Sequence, residues 1–209
     1  MKHILVIISM FFAGMAMSQS KYEAGMARGL EQFKNAKSAE DMTAASAFFE
    51  RVADAEKDKW LPYYYAAYTN HLTGWMNPKA DKDKVAEKTK DLISKAELLE
   101  QNNSEIFCLR QMVAIQQLTV DAMTRYQTYG AEANAAIAKA KKADPNNPRP
   151  YFLDGQYWLN VPEAFGGGKA TAKKLVEKSL ELYKTFQPAS PLHPNWGKEE
   201  AEKLLASCQ

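Results

Sequence analysis

The sequence predicts an all-α protein, a right-handed stack of antiparallel helix hairpins with about seven to nine helices. Three observations carry this. Two sets of segments recur at the same spacing and interleave along the chain. Within each segment the apolar residues follow the three-and-four spacing of one helix face. No run alternates apolar and polar residues over five or more positions, so essentially no strand is expected.

The first set supplies the second, or B, helix of each hairpin. ASAFFERVA from Ala45, TKDLISKAE from Thr89, ANAAIAKAK from Ala133 and AKKLVEKSL from Ala172 start 44, 44 and 39 residues apart. Ala45, Thr89, Ala133 and Ala172 form a small column. Phe48, Leu92, Ala136 and Leu175 form the next, followed by Phe49, Ile93, Ile137 and Val176, and then Val52, Ala96, Ala140 and Ser179. A basic column, Arg51, Lys95, Lys139 and Lys178, falls off that face, where solvent is expected.

The second set supplies the A helices: PYYYAAYTN from Pro62, IFCLRQMVA from Ile106 and PYFLDGQYW from Pro150, again 44 residues apart. Punctuation between the two sets agrees. Ser38-x-x-Asp41 is a capping-box pattern. Pro78 and Asp81 precede the second B helix. Asn102-Asn103-Ser104 spells a glycosylation acceptor but reads as a helix start, with Asn103 or Ser104 as cap. Val161-Pro162 ends an A helix, and Gly166-Gly167-Gly168 leads into the last long B helix. A short helix from Lys198 to Ser207 is expected to cap the stack.

These residues resemble the tetratricopeptide family. Its helix B carries a small residue, a larger one four later and a small one three after that, as in Ala133-Ile137-Ala140 and Ala172-Val176-Ser179. The family's turn proline falls on Pro145, its early helix-A aromatic on Tyr63, Phe107 and Tyr151, and its helix-packing glycine on Gly155. Ala67 and Gln111 stand in place of that glycine in the other A helices. The period of 44 exceeds the family's usual length, and the extra residues fall between A and B, as in TGWMNPKADK. The resemblance covers roughly residues 45–187 and implies a TPR-like α-solenoid whose A helices line the inner, concave surface.

Composition bounds the function. The chain has 209 residues, 46% hydrophobic and 25% charged, which is globular and excludes disorder. A net charge of +2, from 27 basic and 25 acidic residues, gives no electrostatic case for nucleic acid or an anionic membrane. Lys2 followed by the apolar run Ile4 to Met17, with Ala16 and Ser18 at the small positions, reads as a signal peptide over 1–18. Residues 19–209 then form one helical-repeat domain, with no stable membrane insertion once the leader is removed. No cysteine follows the run for lipid attachment, so the product is expected in the periplasm or outside the cell. Cys108 and Cys208 are expected to be free thiols, Cys108 buried and Cys208 on a frayed end.

Known catalytic motifs are missing. Gly166-Gly167-Gly168-Lys169-Ala170-Thr171 fails as a phosphate loop, since Glu163 and Ala170 occupy two defining positions. His71 and His193 have no ligand partner three or four residues away, so no metal site is expected. The expectation is a non-enzymatic protein with no cofactor. The run from Asp81 to Asp91 alternates in sign and reads as a solvated helix start.

The informative excess is aromatic, with Trp60, Tyr63, Tyr64, Tyr65 and Tyr68 crowded together. By the geometry of the resemblance, Tyr64, Tyr68 and His71 line the inner surface from one A helix. Met112 and Gln116 come from the next, and Arg149, Gln156 and Asn160 from the third. Such a groove suits a protein or peptide partner, giving an interaction scaffold. The alternative is a small polar ligand, giving an accessory protein for an uptake system. If the leader is cleaved as read, N-terminal sequencing of exported material begins Gln19-Ser20-Lys21, and a start at Met1 in mature protein refutes it.

Overall fold

The computed structural model describes residues 21–209; the expected leader lies outside them. Among the described residues there is no strand. A helix over 21–35 (α1) is followed by α2 (Ala39–Ala55), α3 (Trp60–Met76), α4 (Lys82–Leu99), α5 (Ser104–Leu118), α6 (Ala122–Arg125), α7 (Ala131–Ala143), α8 (Arg149–Leu159), α9 (Lys169–Tyr183) and α10 (Lys198–Ser207). None of them is long and apolar enough to cross a membrane.

The helix starts are those the punctuation implies. Ser38 and Asp41 form a complete capping box on α2. Asp81 accepts from the amides of Asp83 and Lys84, and Asn103 from those of Glu105 and Ile106. Each side chain satisfies amides that the first turn leaves unpaired. The α8–α9 link uses Gly166 and Gly168 at positive φ, a region that favours glycine.

Hairpins stack in chain order. α2 packs on α3, α3 on α4, α4 on α5, α5 on α7, α7 on α8 and α8 on α9, with α10 closing the end against α9. The B-helix columns are the seams of this stack. Ala45, Thr89, Ala133 and Ala172 are all buried, as are Phe49, Ile93, Ile137 and Val176. Gly155 lets α8 approach α9, since a Cβ there would lie 2.6 Å from Val176. Cys208, expected on a frayed end, is instead buried, because α10 packs down; both cysteines are free.

After α9 the chain does not leave the stack. Residues 187–197 run back as a strap across α3, α5 and α8. Arg149, at the start of α8, is the anchor. Its Nε and Nη2 donate to the two oxygens of Glu105 at 2.7 and 2.8 Å. Its remaining donors reach the carbonyls of Pro194 and Trp196 at 2.9 and 3.3 Å. Tyr183 donates to the Trp196 carbonyl at 2.7 Å, and Tyr65 to that of Leu192 at 2.9 Å. The Trp196 indole stacks on Tyr68 with centroids 5.2 Å apart and donates to the Tyr64 hydroxyl at 2.9 Å.

Burial opposes the charge on Arg149, but Glu105 outweighs it and holds the guanidinium protonated. Removing one partner of such a pair strands the other charge in the interior. Glu105→Ala is therefore expected to cost about 3–5 kcal/mol in urea unfolding. A variant as stable as wild type would show that Arg149 does not depend on Glu105.

Candidate functional site

The expected open groove is filled by the protein itself. Tyr64, Tyr68, His71, Gln116 and Arg149 are each no more than 8% exposed. The spacing of Tyr64, Tyr68 and His71 does place them on one face of α3. That face is not solvated, because α3 is buried on nearly every side, without a break from Tyr64 to His71. Trp196 and the strap cover Tyr64 and Tyr68. Arg149 holds the strap, so it is a structural cation and not a groove residue. Gln116 lies inside the α3–α5 contact and donates to the His71 carbonyl at 3.0 Å. Gly74 makes room for it, as a Cβ there would meet Gln116 at 2.5 Å. Met112 is half-buried between the two core clusters, and Gln156 and Asn160 are exposed on the last turns of α8.

Exposed large apolar residues gather elsewhere. Trp75 and Met76 end α3, Val120, Met123 and Tyr126 follow α5, and Phe165 follows α8. All six lie at or after the C-terminal ends of A helices, so they share one edge of the stack. Met123 and Phe165 are 83% and 77% exposed. Leu98 and Leu99 are exposed at the opposite end, as a pair without an aromatic neighbour among the exposed set.

Contacts knit this edge together. The Lys82 ammonium lies 4.4 Å from the Trp75 ring centroid and donates to Thr119 Oγ1 at 3.2 Å. The α5–α7 connector is pinned by Arg125, which forks onto Asp83 at 2.8 and 2.9 Å and also donates to the Gln117 carbonyl. Its last part, Tyr126–Gly130, is a π turn, a form common at functional sites. Gly130 sits beside the Tyr157 hydroxyl, and Tyr157 packs edge-on against Trp158. The connector is held in place yet presents Val120, Met123 and Tyr126 to solvent. Exposed apolar surface of this kind is a candidate for ligand or partner contact.

Two open clefts flank the stack. One, of about 610 Å³, is lined by Ala39, Ala44, Ala47, Thr73, Asn77 and Val85 and borders the Trp75 edge. The other, of about 590 Å³, lies at the opposite end between Tyr22, Trp60, Leu192 and His193. Ser190 Oγ meets His193 Nδ1 there at 2.7 Å, and burial lowers the pKa of that imidazole. Among the described residues no group of three or more His, Cys, Asp or Glu could hold a metal ion.

The edge was not among the sequence-derived candidates. Its signal was the extra length between A and B helices, TGWMNPK, TVDAMTRYQTYG and EAFGGG. Turn residues there flank large apolar side chains that a plain connection would not carry.

The architecture is an all-α stack of helix hairpins with its expected groove strapped shut and one apolar aromatic edge left exposed. The chain shares 37% sequence identity and a TM-score of 0.82 with the HusA haemophore from Porphyromonas gingivalis, over 90% of this chain and 92% of that one. It belongs to the family of that haemophore. No protein-family model and no curated protein matches the sequence.

Beneath the edge, His71 Nε2 accepts a hydrogen bond from Trp75 Nε1 at 3.0 Å. Burial lowers the His71 pKa from 6.5 to about 4, only partly opposed by Gln116. The folded state thus binds this proton less readily than the unfolded chain. The neutral-histidine contribution is complete above pH 6.5 and is lost as pH falls toward 4. Across that window it amounts to about 3 kcal/mol. The stability difference between wild type and His71→Gln is expected to shift in favour of the variant by that order on acidification. A pH-independent difference in urea midpoints would show that His71 titrates normally.

Proposed function

We propose that this protein is an exported, non-enzymatic carrier of a haem-class macrocycle, held on the apolar edge around Trp75. The observation that carries the reading is the rigid connector after α5, which keeps Val120, Met123 and Tyr126 exposed beside Trp75. A porphyrin is a flat apolar disc with carboxylates at its rim. Aromatic faces and a thioether suit the disc, and Lys82 suits the rim. Membership of a haemophore's family supports the small-ligand reading over the protein-interaction scaffold. The strap supports it too, since it covers the α3 face on which a peptide groove was expected.

The type of side chain on the edge also bears on how iron would be met. Met123 and Tyr126 are of kinds that can ligate haem iron. His71 is buried with Nε2 already engaged by Trp75. Ring contact is therefore the expected main hold on the disc, with any iron ligand from this edge coming from Met123 or Tyr126 and not from His71.

Haem titration followed by the Soret band and by tryptophan quenching tests this. Trp75→Ala and Met123→Ala are each expected to weaken binding about tenfold, as loss of an interface anchor does. Trp60→Ala and His193→Ala, in the cleft at the other end, are expected to leave affinity unchanged. If the cleft variants lose affinity and the edge variants keep it, the site is the cleft.

A further inference from the structure

Trp75 is oriented from below. Its sole polar atom, Nε1, donates to His71 Nε2, and His71 is 2% exposed. The indole therefore turns its N–H into the core and leaves carbon edges and a ring face outward. The histidine is an expensive way to do this. With Nε2 accepting, the proton sits on Nδ1, which is buried and faces the Gln116 side chain. Burial still costs the ring its contact with water, as its lowered pKa shows. An apolar residue at position 71 would avoid burying a polar, titratable ring. What only an acceptor provides is the fixed indole.

Lys82 is the second element. Its ammonium lies over the Trp75 ring and donates to Thr119 Oγ1. Neither neighbouring carboxylate serves it. Asp83 is taken up by Arg125, and Asp81 accepts from the first amides of α4 and stands 3.9 Å from Lys84. Among the described residues Lys82 forms no ion pair. A cation on an aromatic ring, at the rim of an apolar surface and without its own anion, is arranged to receive one.

We propose that Trp75 and Lys82 together read a planar ligand that bears a carboxylate, the ring meeting the indole and the carboxylate meeting Lys82, with His71 as the positioning residue that sets the indole's orientation. This rests on the proposed function and goes further, by assigning what separates an acid-bearing macrocycle from a neutral one.

The experiment uses the full mature chain and two probes, iron protoporphyrin and its dimethyl ester, which differ only in the rim carboxylates. Wild type is expected to bind the acid about fivefold more tightly than the ester, in the range of a partly exposed ion pair. Lys82→Gln is expected to bring that ratio close to one, by weakening the acid about fivefold more than the ester. For the positioning role, His71→Leu removes the acceptor and His71→Gln keeps one. The near-ultraviolet circular dichroism attributable to Trp75, isolated by subtracting the Trp75→Phe spectrum, is expected to collapse in His71→Leu and to return in His71→Gln. Affinity for the acid should follow the same order. Wild-type binding with an acid-to-ester ratio that Lys82→Gln does not change overturns this inference and leaves the carrier reading standing. An unaltered Trp75 spectrum in a folded His71→Leu overturns the positioning role. No binding of either ring by wild type overturns both readings together. Lys82 lies on the surface, so its arm does not depend on how the buried His71 variants fold.

Discussion

Arg149 is buried at the first turn of α8, and its five N–H donors in a planar fork explain much of the rest. Two meet Glu105 on α5, which joins the α5–α7 and α8–α9 hairpins. Others meet backbone carbonyls of the strap, which returns the chain after α9 to the stack. Asn147 supports the same carboxylate, donating to Glu105 at 2.6 Å and to Ser104 at 3.0 Å. A lysine could not replace Arg149, because it lacks the fork and its three donors cannot serve both carboxylate oxygens and two carbonyls at once.

The strap decides which surface is left. The resemblance implied an open inner wall on the A helices, and here the α3 face holds Trp196, stacked on Tyr68 and bonded to Tyr64. The tyrosines became interior residues, and the Tyr64 hydroxyl accepts from the Trp196 indole within the fold. Tyr64 illustrates the consequence: burial drives its pKa well above the ordinary phenol value, so it stays neutral. With the wall covered, exposed aromatic and apolar surface concentrates where the long A-to-B connections emerge.

Those connections combine rigidity with exposure. The Arg125–Asp83 fork and the Lys82–Thr119 bond fix the α5–α7 connector to the start of α4. Because the connector is already ordered, a ligand settling on Val120, Met123 and Tyr126 would lose little affinity to ordering the chain. His71 links this edge to the core, accepting from Trp75 at Nε2 while its ring lies buried beside Gln116, and the burial is a local cost of the kind that functional sites tolerate.

The repeat columns, Ala45 through Val176, were legible because stacking buries the same face in each hairpin, and a period in sequence becomes a seam in space. Helix starts at Ser38, Asp81 and Asn103 were legible because capping is local, acting over three residues. That Tyr64, Tyr68 and His71 share one face of α3 was legible from their spacing alone. What covers that face was not legible. The covering group, Trp196, is 132 residues from Tyr64, and no periodicity ties a loop to the helix it lies on. The Trp75 edge shares this difficulty. Its residues sit in three connections about 44 residues apart, each ordinary alone, and meet only because antiparallel hairpins bring the same ends of successive A helices together. Sequence by itself determined the helices, their seams and their caps, since these follow from short-range spacing. Only the tertiary structure decided which aromatic residues are core and which are surface, since that depends on where one distant loop comes to rest.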